Sequence, residues 1–477
     1  MTDQQRGDSI PPYSRAKTPV MDRFCKEGLT FTNAFTVSPH CCPARATFFS
    51  GLYPSQHGVW NNVNVGNTLS RGLYDGVRLW SEDLRDAGYD MYFSGKWHVS
   101  DVESPGDRGF GNYSKVSGVF SGVPYKHQKP DPYEWARYDK LPAFTARHEA
   151  QIIRKGYPVY THYGINENPF RDQDVVSDAV KILGREKSGR PWCQYVGTLG
   201  PHDPYFVPQK FLDLYDPDEI KLPGTCDDRM ADKPSMYRRI RDKFDQLPEN
   251  EQREALRHYL AFCSYEDYLF GQVLDALGKS GEAENTLVLY TSDHGDYAAD
   301  HGLWCKGLPC FEGAYKIPAV VRWPGRLKMS GGTEDSFINL ADFAPTFLEA
   351  AGIATGREFT GSSLVPFFNG EKPEGRQDVL FTQSNGNEQY GIQRSIRTRE
   401  WKFVYNGFDY DELYDLKTDP GETRNLISGG RIDPQYEKTI HDLLKQMWKF
   451  AKQTGDVCIN SYVMVSVAEE GPGAAFE

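Results

Sequence analysis

The sequence lacks a long apolar run, and this absence excludes a helix that crosses a membrane. Among its 477 residues, no stretch of about 18 consecutive apolar residues occurs. The chain also lacks an excess of positive charge, because 54 Lys and Arg residues are outnumbered by 66 Asp and Glu residues, which gives a net charge of −12. Nucleic acid is therefore not expected as a partner. An anionic substrate is still compatible with this charge, since a metal and a few cations can make one pocket positive.

Cysteine is infrequent and has no regular spacing. The nine cysteines are at positions 25, 41, 42, 193, 226, 263, 305, 310 and 458. No Cys-x-x-Cys pair occurs, so a cysteine-based metal site is not predicted. We expect most of the thiols to be reduced, with a disulfide between Cys305 and Cys310 as the alternative.

A signal peptide, internal repeats and low-complexity segments are also lacking. The compartment is therefore left open: an export signal ahead of the first residue would make the protein periplasmic or secreted, and otherwise it is cytoplasmic. The remaining composition, with 39% hydrophobic and 25% charged residues, is typical of a soluble globular protein. A linker with Pro, Asn and Gly near 365–375 predicts two units, residues 1–370 and 371–477.

The stretch from Pro39 to Gly51, PHCCPARATFFSG, carries the first candidate for chemistry. Pro43 is tolerated in the first turn of a helix and Gly51 favours its end, so a short helix is predicted. Cys41 and Arg45 are four residues apart and share one face of that helix. A helix N-terminus also favours an anion, because its backbone N–H groups point outward unpaired. The plainer interpretation is two buried thiols and a surface arginine.

Basic side chains follow two predicted strands. Lys96 and His98 come directly after the strand at 90–93, and His202 lies in a Pro- and Gly-rich loop after the strand at 192–196. In an extended segment Lys96 and His98 point the same way, so one can hold an anion while the other moves a proton. Ligands of open α/β sheets bind at the carboxyl ends of strands. Solvated side chains are the alternative at each of these positions.

An acidic residue and a histidine follow a third predicted strand, at 287–291. The sequence there is Ser-Asp-His-Gly-Asp, with Asp293 and His294 next to a glycine. These two side chains can form part of a metal site. Lys306 lies twelve residues after His294 and adds a cation to the same segment.

The rest of the chain supplies the scaffold and its loops. A long amphipathic helix over 249–278 is predicted to pack in the core. Residues 105–185 are rich in loops and aromatic side chains, which can stack on sugars or pack beneath the loops. A small α+β unit is predicted near the C-terminus, with strands at 379–381, 392–398 and 401–405 and a helix over 436–451.

Five segments of the chain, taken in order, resemble the type I sulfatase family. Cys41, Pro43 and Arg45 match its Cys-x-Pro-x-Arg signature, with Ala44 in the place of the usual Ser. The run from Thr291 to Gly325 is the most specific match, and the C-terminal unit resembles that of the family as well.

A second signature of the family, Gly-Tyr-x-Thr-x-x-x-Gly-Lys, is matched at Gly88, Tyr89, Gly95 and Lys96, with Met91 in the place of Thr. Members of the family usually begin with an apolar strand that ends in Thr-Asp-Asp or Thr-Asp-Gln. Here Asp3 and Gln4 match the last two of those positions, and the strand itself is expected ahead of residue 1. The matches extend from Asp3 to Leu426.

The resemblance implies an α/β fold of the alkaline-phosphatase type. Such a fold has a central mixed, mostly parallel sheet flanked by helices, with a smaller C-terminal α+β subdomain. The resemblance also implies that Cys41 is converted after translation to formylglycine (3-oxoalanine) by a formylglycine-generating enzyme or an anaerobic maturase. The hydrated aldehyde is the nucleophile of the family.

A divalent metal is implied in the same way, with Asp3, Gln4, Asp293, His294 and the modified Cys41 as its ligands. Calcium is the usual metal of the family, and oxygen-rich ligation suits it. The nitrogen of His294 is less typical of a calcium site, so Mg²⁺ and Mn²⁺ stay open.

The other candidate residues receive their roles from the resemblance too. Arg45 and Lys96 hold the geminal diol of formylglycine. Lys306 and His202 neutralise or protonate the departing oxygen. His98 takes a proton from the second hydroxyl, which expels sulfate and restores the aldehyde.

These implications predict a hydrolase that cleaves sulfate monoesters. The expected substrate is a sulfated small molecule or glycan, and the aromatic loops favour a sulfated carbohydrate, as in polysaccharide degradation, over a small alkyl sulfate. Two alternatives stay open: a phosphonate monoester or phosphodiester hydrolase of the same superfamily, and a catalytically inactive binding homologue.

Overall fold

Helices and strands alternate along most of the chain. The computed structural model describes residues 1–65, 68–113, 138–139, 141, 146–186, 188–373, 375–387, 391–456 and 468–476. Within these residues the α-helices are α1 (Pro19–Glu27), α2 (Cys41–Ser50), α3 (Pro54–His57), α4 (Trp80–Asp86), α5 (Asp172–Leu183), α6 (Gln209–Leu212), α7 (Ser235–Arg241), α8 (Glu249–Ser280), α9 (Glu312–Tyr315), α10 (Phe343–Ala350), α11 (Val365–Phe368) and α12 (Pro434–Gln453).

The strands of the same residues are β1 (Leu29–Phe31), β2 (Ala34–Phe35), β3 (Asp90–Gly95), β4 (Asn112–Tyr113), β5 (Gln151–Ile152), β6 (Tyr160–Thr161), β7 (Tyr163–Ile165), β8 (Trp192–Gly197), β9 (Tyr205–Val207), β10 (Val288–Thr291), β11 (Lys316–Ile317), β12 (Ala319–Arg322), β13 (Gly332–Glu334), β14 (Ile338–Asn339), β15 (Leu380–Ser384), β16 (Gln393–Arg397), β17 (Trp401–Asn406) and β18 (Glu412–Asp415). The predicted α/β fold with a central mixed, mostly parallel sheet is confirmed.

The first two residues join the two halves of the central sheet. On one side, β8 pairs in parallel with β3, and β3 with β4. On the other side the order is β10, β12, β1, β13. Between them, the Met1 ammonium donates to Val196 O (2.8 Å) and the Thr2 N–H donates to Thr291 O (2.9 Å), with a parallel bridge from Thr2 to Ser292. Asp3 therefore emerges at the edge where β8 and β10 end, which is where ligands of such sheets bind.

The helix α2 packs into the largest apolar cluster of the described residues. All of its residues are buried. Phe49 stacks on Trp80 with ring centroids 5.3 Å apart, and Phe48 meets Trp80 edge to face at 5.9 Å. A helix buried on every side cannot move without disturbing its neighbours, because protein cores are close-packed.

A separate antiparallel sheet, β15-β16-β17-β18, forms the predicted C-terminal α+β unit. The apolar face of α12 covers this sheet through Ile440, Leu444 and Trp448. Helix α3 and the loop after it are bonded to this unit: Ser55 N–H donates to Gln383 Oε1 (2.9 Å), and the N–H of Asn62 donates to Asn387 Oδ1 (3.1 Å). Among the helices of the described residues, none combines the length and the apolar character needed to cross a membrane.

Some local expectations differ from the structure. The sequence at 29–35, LTFTNAF, predicts one short strand, but a turn at Thr32 and Asn33 divides it into β1 and β2. The turn lets the chain change sheets, because β1 pairs with β12 and β13 whereas β2 pairs with β11 and β14. Cys305 and Cys310 are free thiols, so the alternative disulfide is not formed.

The end of α2 provides a prediction about stability. Gly51 has a φ of 75°, and a Cβ there would lie 2.5 Å from Phe359 Cδ1. Gly51→Ala should lower the free energy of unfolding by about 2–4 kcal/mol, because an unfavourable left-handed alanine is combined with overpacking. Gly88→Ala is the control, since Gly88 has a φ of 92° and no atom within 4 Å of the added carbon. Urea unfolding should give the control a loss of only about 1 kcal/mol, and equal losses would contradict the packing argument.

Candidate active site

The predicted nucleophile stands at the first residue of α2. His40 precedes the helix in an extended conformation, and its side chain does not cap it. The cap comes from a distant loop, where Asn62 Oδ1 accepts the Cys42 N–H at 3.1 Å. The helix predicted from Pro39 to Gly51 is therefore confirmed, with Cys41 at its N-terminal end, where the helix dipole favours negative charge.

Four buried side chains meet around this end of the helix: Asp3, Cys41, Asp293 and His294. One ligand atom from each lies within 4.8 Å of all the others. The Cys41 Sγ is 3.3 Å from His294 Nε2 and 3.7 Å from Asp3 Oδ1, and His294 Nε2 is 3.7 Å from both carboxylates. Two carboxylates and one imidazole without access to water match the donor set of a divalent-cation site.

The proton on His294 can be assigned from its surroundings. The ring Nδ1 lies 2.9 Å from Gly295 O, and a carbonyl oxygen only accepts, so Nδ1 carries the proton. Nε2 then presents its lone pair to the cluster. Burial lowers the pKa of His294 and keeps the ring neutral. This is the usual arrangement for a metal-binding histidine.

Arg45 and Lys96 compensate the two buried carboxylates. Arg45 donates from Nη2 to Asp3 Oδ2 (3.0 Å) and from Nε to Asp293 Oδ2 (2.8 Å). The Lys96 ammonium donates to the same Asp3 Oδ2. Burial by itself raises the pKa of Asp3, but Lys96, His202 and Arg45 hold it well below the usual value. Because both cations bind Oδ2, the Oδ1 atom of Asp3 stays directed at Cys41 and His294.

Gln4 reaches away from this cluster toward Lys306. Its backbone N–H donates to Asp293 Oδ1 (3.1 Å), whereas its side-chain Oε1 accepts from Lys306 Nζ (2.6 Å). The amide Nε2 donates to Asp296 Oδ2 (2.6 Å) and to Asp203 Oδ1 (3.1 Å). The predicted ligand thus borders the cluster and links it to the next group of residues.

His202 and Lys306, both predicted to act on the leaving group, lie side by side. Lys306 Nζ is 2.6 Å from His202 Nε2, which is 4.0 Å from Asp3 Oδ1. The His202 Nδ1 is 2.5 Å from Asp203 O and must donate to it, so Nε2 accepts from the ammonium. Burial works against the charge of Lys306, but Cys41, Asp3 and Asp203 raise its pKa above the usual value.

His98 completes the predicted set of site residues and contacts the loop that carries Asn64. Its φ is 54°, so the segment after β3 is not extended, and the expectation that Lys96 and His98 point the same way from an extended segment is wrong. The His98 Nε2 is 2.8 Å from Asn64 Oδ1. Burial and then the charge of Lys96 lower the pKa of His98 well below its usual value, which keeps the ring neutral.

Several site residues were not found from the sequence. Asp296 accepts from Gln4 and from Tyr205 (2.6 Å each), and burial raises its pKa to about 6. Tyr195 on β8 accepts from Arg45 Nη1 at 2.9 Å. Asp296 belongs to the Ser-Asp-His-Gly-Asp motif, so its position carried a signal, whereas Tyr195 lies within an apolar strand and carried none.

The aromatic residues of the loop-rich segment are only partly described. His162 and Tyr160 lie behind Asp203, whose Oδ2 accepts from the Tyr160 hydroxyl at 2.8 Å. Tyr125, His127, Tyr133 and Trp135 lie outside the described residues. Whether this segment contacts a substrate stays a prediction.

Comparison with known families identifies both parts of the chain. The family model described as Sulfatase matches residues 1–353. The model described as N-sulphoglucosamine sulphohydrolase, C-terminal, matches residues 299–453. A curated relative, the choline-sulfatase of Rhizobium meliloti, is 30% identical over 466 residues, which cover 94% of this chain and 86% of the relative.

Solved structures share the fold. A complex with the substrate D-glucosamine-2-N,6-O-disulfate superposes with a TM-score of 0.73 at 20% identity, over 96% of this chain and 97% of that chain. The phosphonate monoester hydrolase of Agrobacterium radiobacter gives the same TM-score of 0.73 at 22% identity, over 95% and 94% of the two chains. The fold alone therefore does not separate sulfate from phosphonate esters.

The bridging guanidinium of the site leads to a prediction. In Arg45→Lys, one ammonium cannot bond both Asp3 and Asp293, which leaves buried carboxylate charge without its partner. The free energy of unfolding should fall by about 3–5 kcal/mol, and Ca²⁺ or Mn²⁺ should bind more weakly in a competition with a chelating dye. Arg78→Lys is the control, because Arg78 forms a surface ion pair worth about 1 kcal/mol or less. Similar losses in the two variants would contradict the bridging role.

Proposed function

The chain belongs to the sulfatase family of sulfuric ester hydrolases, and on this premise we propose that it removes sulfate from a sulfated carbohydrate, with position 41 as the nucleophile. One observation carries the proposal. The Cys41 side chain lies at a helix N-terminus, 3.3 Å from His294 Nε2 and 3.7 Å from Asp3 Oδ1, inside a buried group that suits a divalent cation. This position, next to two carboxylates and an imidazole, supports a chemical role for the side chain at position 41 in addition to core packing.

The residues that would hold the metal are Asp3, Asp293 and His294, together with the side chain at position 41. Gln4 borders them and is the further ligand expected for the family. A cation bound there would polarise a sulfate oxygen and lower the pKa of the nucleophile. The carboxylates favour Ca²⁺, and the imidazole keeps Mg²⁺ and Mn²⁺ open.

Position 41 would carry formylglycine in the mature enzyme, and its hydrated aldehyde would supply the attacking hydroxyl. This requires a formylglycine-generating enzyme or an anaerobic maturase as a partner. Arg45 and Lys96 would then act mainly through Asp3, because their donor groups bond its Oδ2 in this structure. They hold the carboxylate in place while contributing positive charge that favours a sulfate anion.

The leaving alcohol would be protonated by the Lys306 and His202 pair. Lys306 Nζ donates to His202 Nε2 and to Gln4 Oε1, and this hydrogen-bonded pair would supply the proton that the departing oxygen takes. The Nδ1 proton is retained, because it is donated to Asp203 O. Neutral His98 would accept a proton from position 41 after the alcohol has left.

The sulfated carbohydrate is proposed from two lines of support. A protein of the same fold was solved with D-glucosamine-2-N,6-O-disulfate as its substrate. The C-terminal part of this chain matches the model named for N-sulphoglucosamine sulphohydrolase. The choline-sulfatase relative makes choline sulfate the natural competitor, so both substrate classes belong in one assay.

The nucleophile is tested with two neighbouring cysteines. Cys41→Ala should abolish sulfate release from an aryl sulfate, since no other side chain replaces the nucleophile. Cys42→Ala should retain activity within about tenfold, because the Cys42 thiol packs in the core and accepts the N–H of Val63 at 3.4 Å. Both variants are produced with a formylglycine-generating enzyme and assayed for sulfate release on an aryl sulfate and for hydrolysis of an aryl phosphodiester.

Three outcomes would contradict the proposal. Activity in Cys41→Ala would exclude position 41 as the nucleophile. Preference of the wild-type enzyme for the phosphodiester would assign it to the phosphonate and phosphodiester hydrolases. In a panel of sulfated monosaccharides and choline sulfate, a higher kcat/KM for choline sulfate would overturn the carbohydrate assignment.

The leaving-group role is tested by comparing two esters. His202→Ala should lower kcat for a sugar sulfate by about 10²–10⁴, because the sugar alkoxide needs protonation. It should lower kcat for an aryl sulfate by less than about tenfold, since a phenolate leaves without a proton. Phe170→Leu is the control, because Phe170 touches His202 only through ring contact. An equal loss for both esters in His202→Ala would exclude the proposed acid.

A further inference from the structure

The loop that carries His202 is held by hydrogen bonds to a buried carboxylate on α5. After β8, residues 199–202 form a turn in which the His202 N–H donates to Leu199 O at 3.0 Å. The first two N–H groups of this turn both donate to one carboxylate, Leu199 N–H to Asp172 Oδ1 (2.9 Å) and Gly200 N–H to Asp172 Oδ2 (2.8 Å). Asp172 therefore fixes the start of the turn, and His202 is its last residue.

The same turn also holds the metal-binding end of the site. Gly200 O accepts the Asp3 N–H at 3.1 Å. Asp172 is therefore linked through Gly200 to the backbone of Asp3, and through the turn to His202. It belongs neither to the predicted metal ligands nor to the His202 and Lys306 pair. It is the first residue of α5, and its carboxylate is turned to the loop, with no cap bond from the preceding residue's side chain.

A second carboxyl group backs the turn from α8. Glu266 is buried, and a Cβ at Gly200 would lie 2.1 Å from Glu266 Oε1. Burial and the charge of Asp172 raise the pKa of Glu266 well above the usual value. Burial raises the pKa of Asp172 as well, to about 7, and its two oxygens are the acceptors of the Leu199 and Gly200 N–H groups.

We infer that Asp172 is a positioning residue for His202: by bonding the N–H groups of Leu199 and Gly200, its carboxylate sets the turn that holds the imidazole against Lys306. This inference rests on the proposed function, in which His202 and Lys306 protonate the leaving alcohol. If Asp172 has this role, its loss should affect one class of substrates more than the other. Loss of the two hydrogen bonds to the Asp172 carboxylate should slow substrates that need a proton on the leaving oxygen. Substrates that do not need this proton should be little affected.

The variant that tests this is Asp172→Asn. The amide keeps the size of the side chain but offers one acceptor oxygen, so one of the two N–H groups faces an NH₂ group instead. The chain offers a matched control in Asp267, another buried carboxylate on α8. Asp267 accepts from the N–H groups of Val20 (2.9 Å) and Met21 (2.7 Å), away from the site. Asp267→Asn therefore weakens the same kind of paired hydrogen bonds at a position away from the His202 loop.

The activity experiment compares an aryl sulfate with a sugar sulfate in the matured enzyme. Asp172→Asn should lower kcat for the sugar sulfate by about tenfold or more and kcat for the aryl sulfate by less than about threefold, with KM little changed. Asp267→Asn should lower both equally. Added to His202→Ala, Asp172→Asn should cost less than about twofold further, because both changes remove one function. Equal losses on the two esters, or full additivity, would overturn the inference.

A readout that does not need turnover separates this inference from the proposed function. Hydrogen exchange of the peptide over 198–204 should become faster in Asp172→Asn and stay unchanged in Asp267→Asn, and unchanged exchange in Asp172→Asn would overturn the inference. If His202→Ala shows no leaving-group selectivity, the proposed acid fails. If His202→Ala shows it and Asp172→Asn does not, only the positioning role fails.

Two variants of the second carboxyl group protect the test against misfolding. Glu266→Gln keeps the size of the side chain behind Gly200 and should keep the wild-type ratio of the two rates. Glu266→Ala removes the group behind Gly200 and should reproduce the selectivity of Asp172→Asn in a smaller degree. A Glu266→Ala enzyme with the wild-type ratio would count against the carboxyl pair as the support of the turn.

Discussion

The site depends on the compensation of two buried carboxylates by one guanidinium. Asp3 and Asp293 are 290 residues apart in the sequence, and moving their charges out of water costs several kcal/mol each. Arg45 offsets this cost because its planar fork reaches both residues at once, at 3.0 and 2.8 Å. Its third nitrogen donates to Lys96 O and to Tyr195. One fully buried side chain thereby ties the N-terminus, α2, the end of β3, β8 and the segment after β10 into a single arrangement.

The fold was largely predictable where a periodic pattern ran for many residues. The helix predicted at 249–278 is observed as α8, and the strands predicted at 379–381, 392–398 and 401–405 are observed as β15, β16 and β17, whereas β18 was not predicted. Elements of two or three residues were harder to predict, since so few residues cannot show a periodic pattern. Residues 1–2 complete the central sheet through backbone bonds, which depend on the strands beside them and not on their own side chains. The turn that separates β1 from β2 was missed for the same reason.

For the site, residue type and order along the chain indicated which side chains take part, but not how they bond. Cys41, Arg45 and His294 stand in motifs, and the structure places them together. The orientation of Gln4 could not be read from its position, because its amide is directed by Lys306, Asp296 and Asp203, which arrive from distant segments. His98 shows a similar limit. Its left-handed backbone conformation decides where the ring points, and that conformation follows from packing around β3 and not from spacing.

Two histidines of the site make the same kind of hydrogen bond at Nδ1 but are suited to different chemistry. In both His294 and His202, the backbone carbonyl of the following residue accepts a hydrogen bond from Nδ1–H, and the lone pair of Nε2 faces the site. The difference lies in what each lone pair meets. His294 is fully buried and faces carboxylates, so it suits a cation. His202 is 25% exposed and faces the Lys306 ammonium, so its nitrogen receives and passes on a proton. The backbone thus fixes the tautomer, and the neighbouring charge decides whether the imidazole binds metal or transfers a proton.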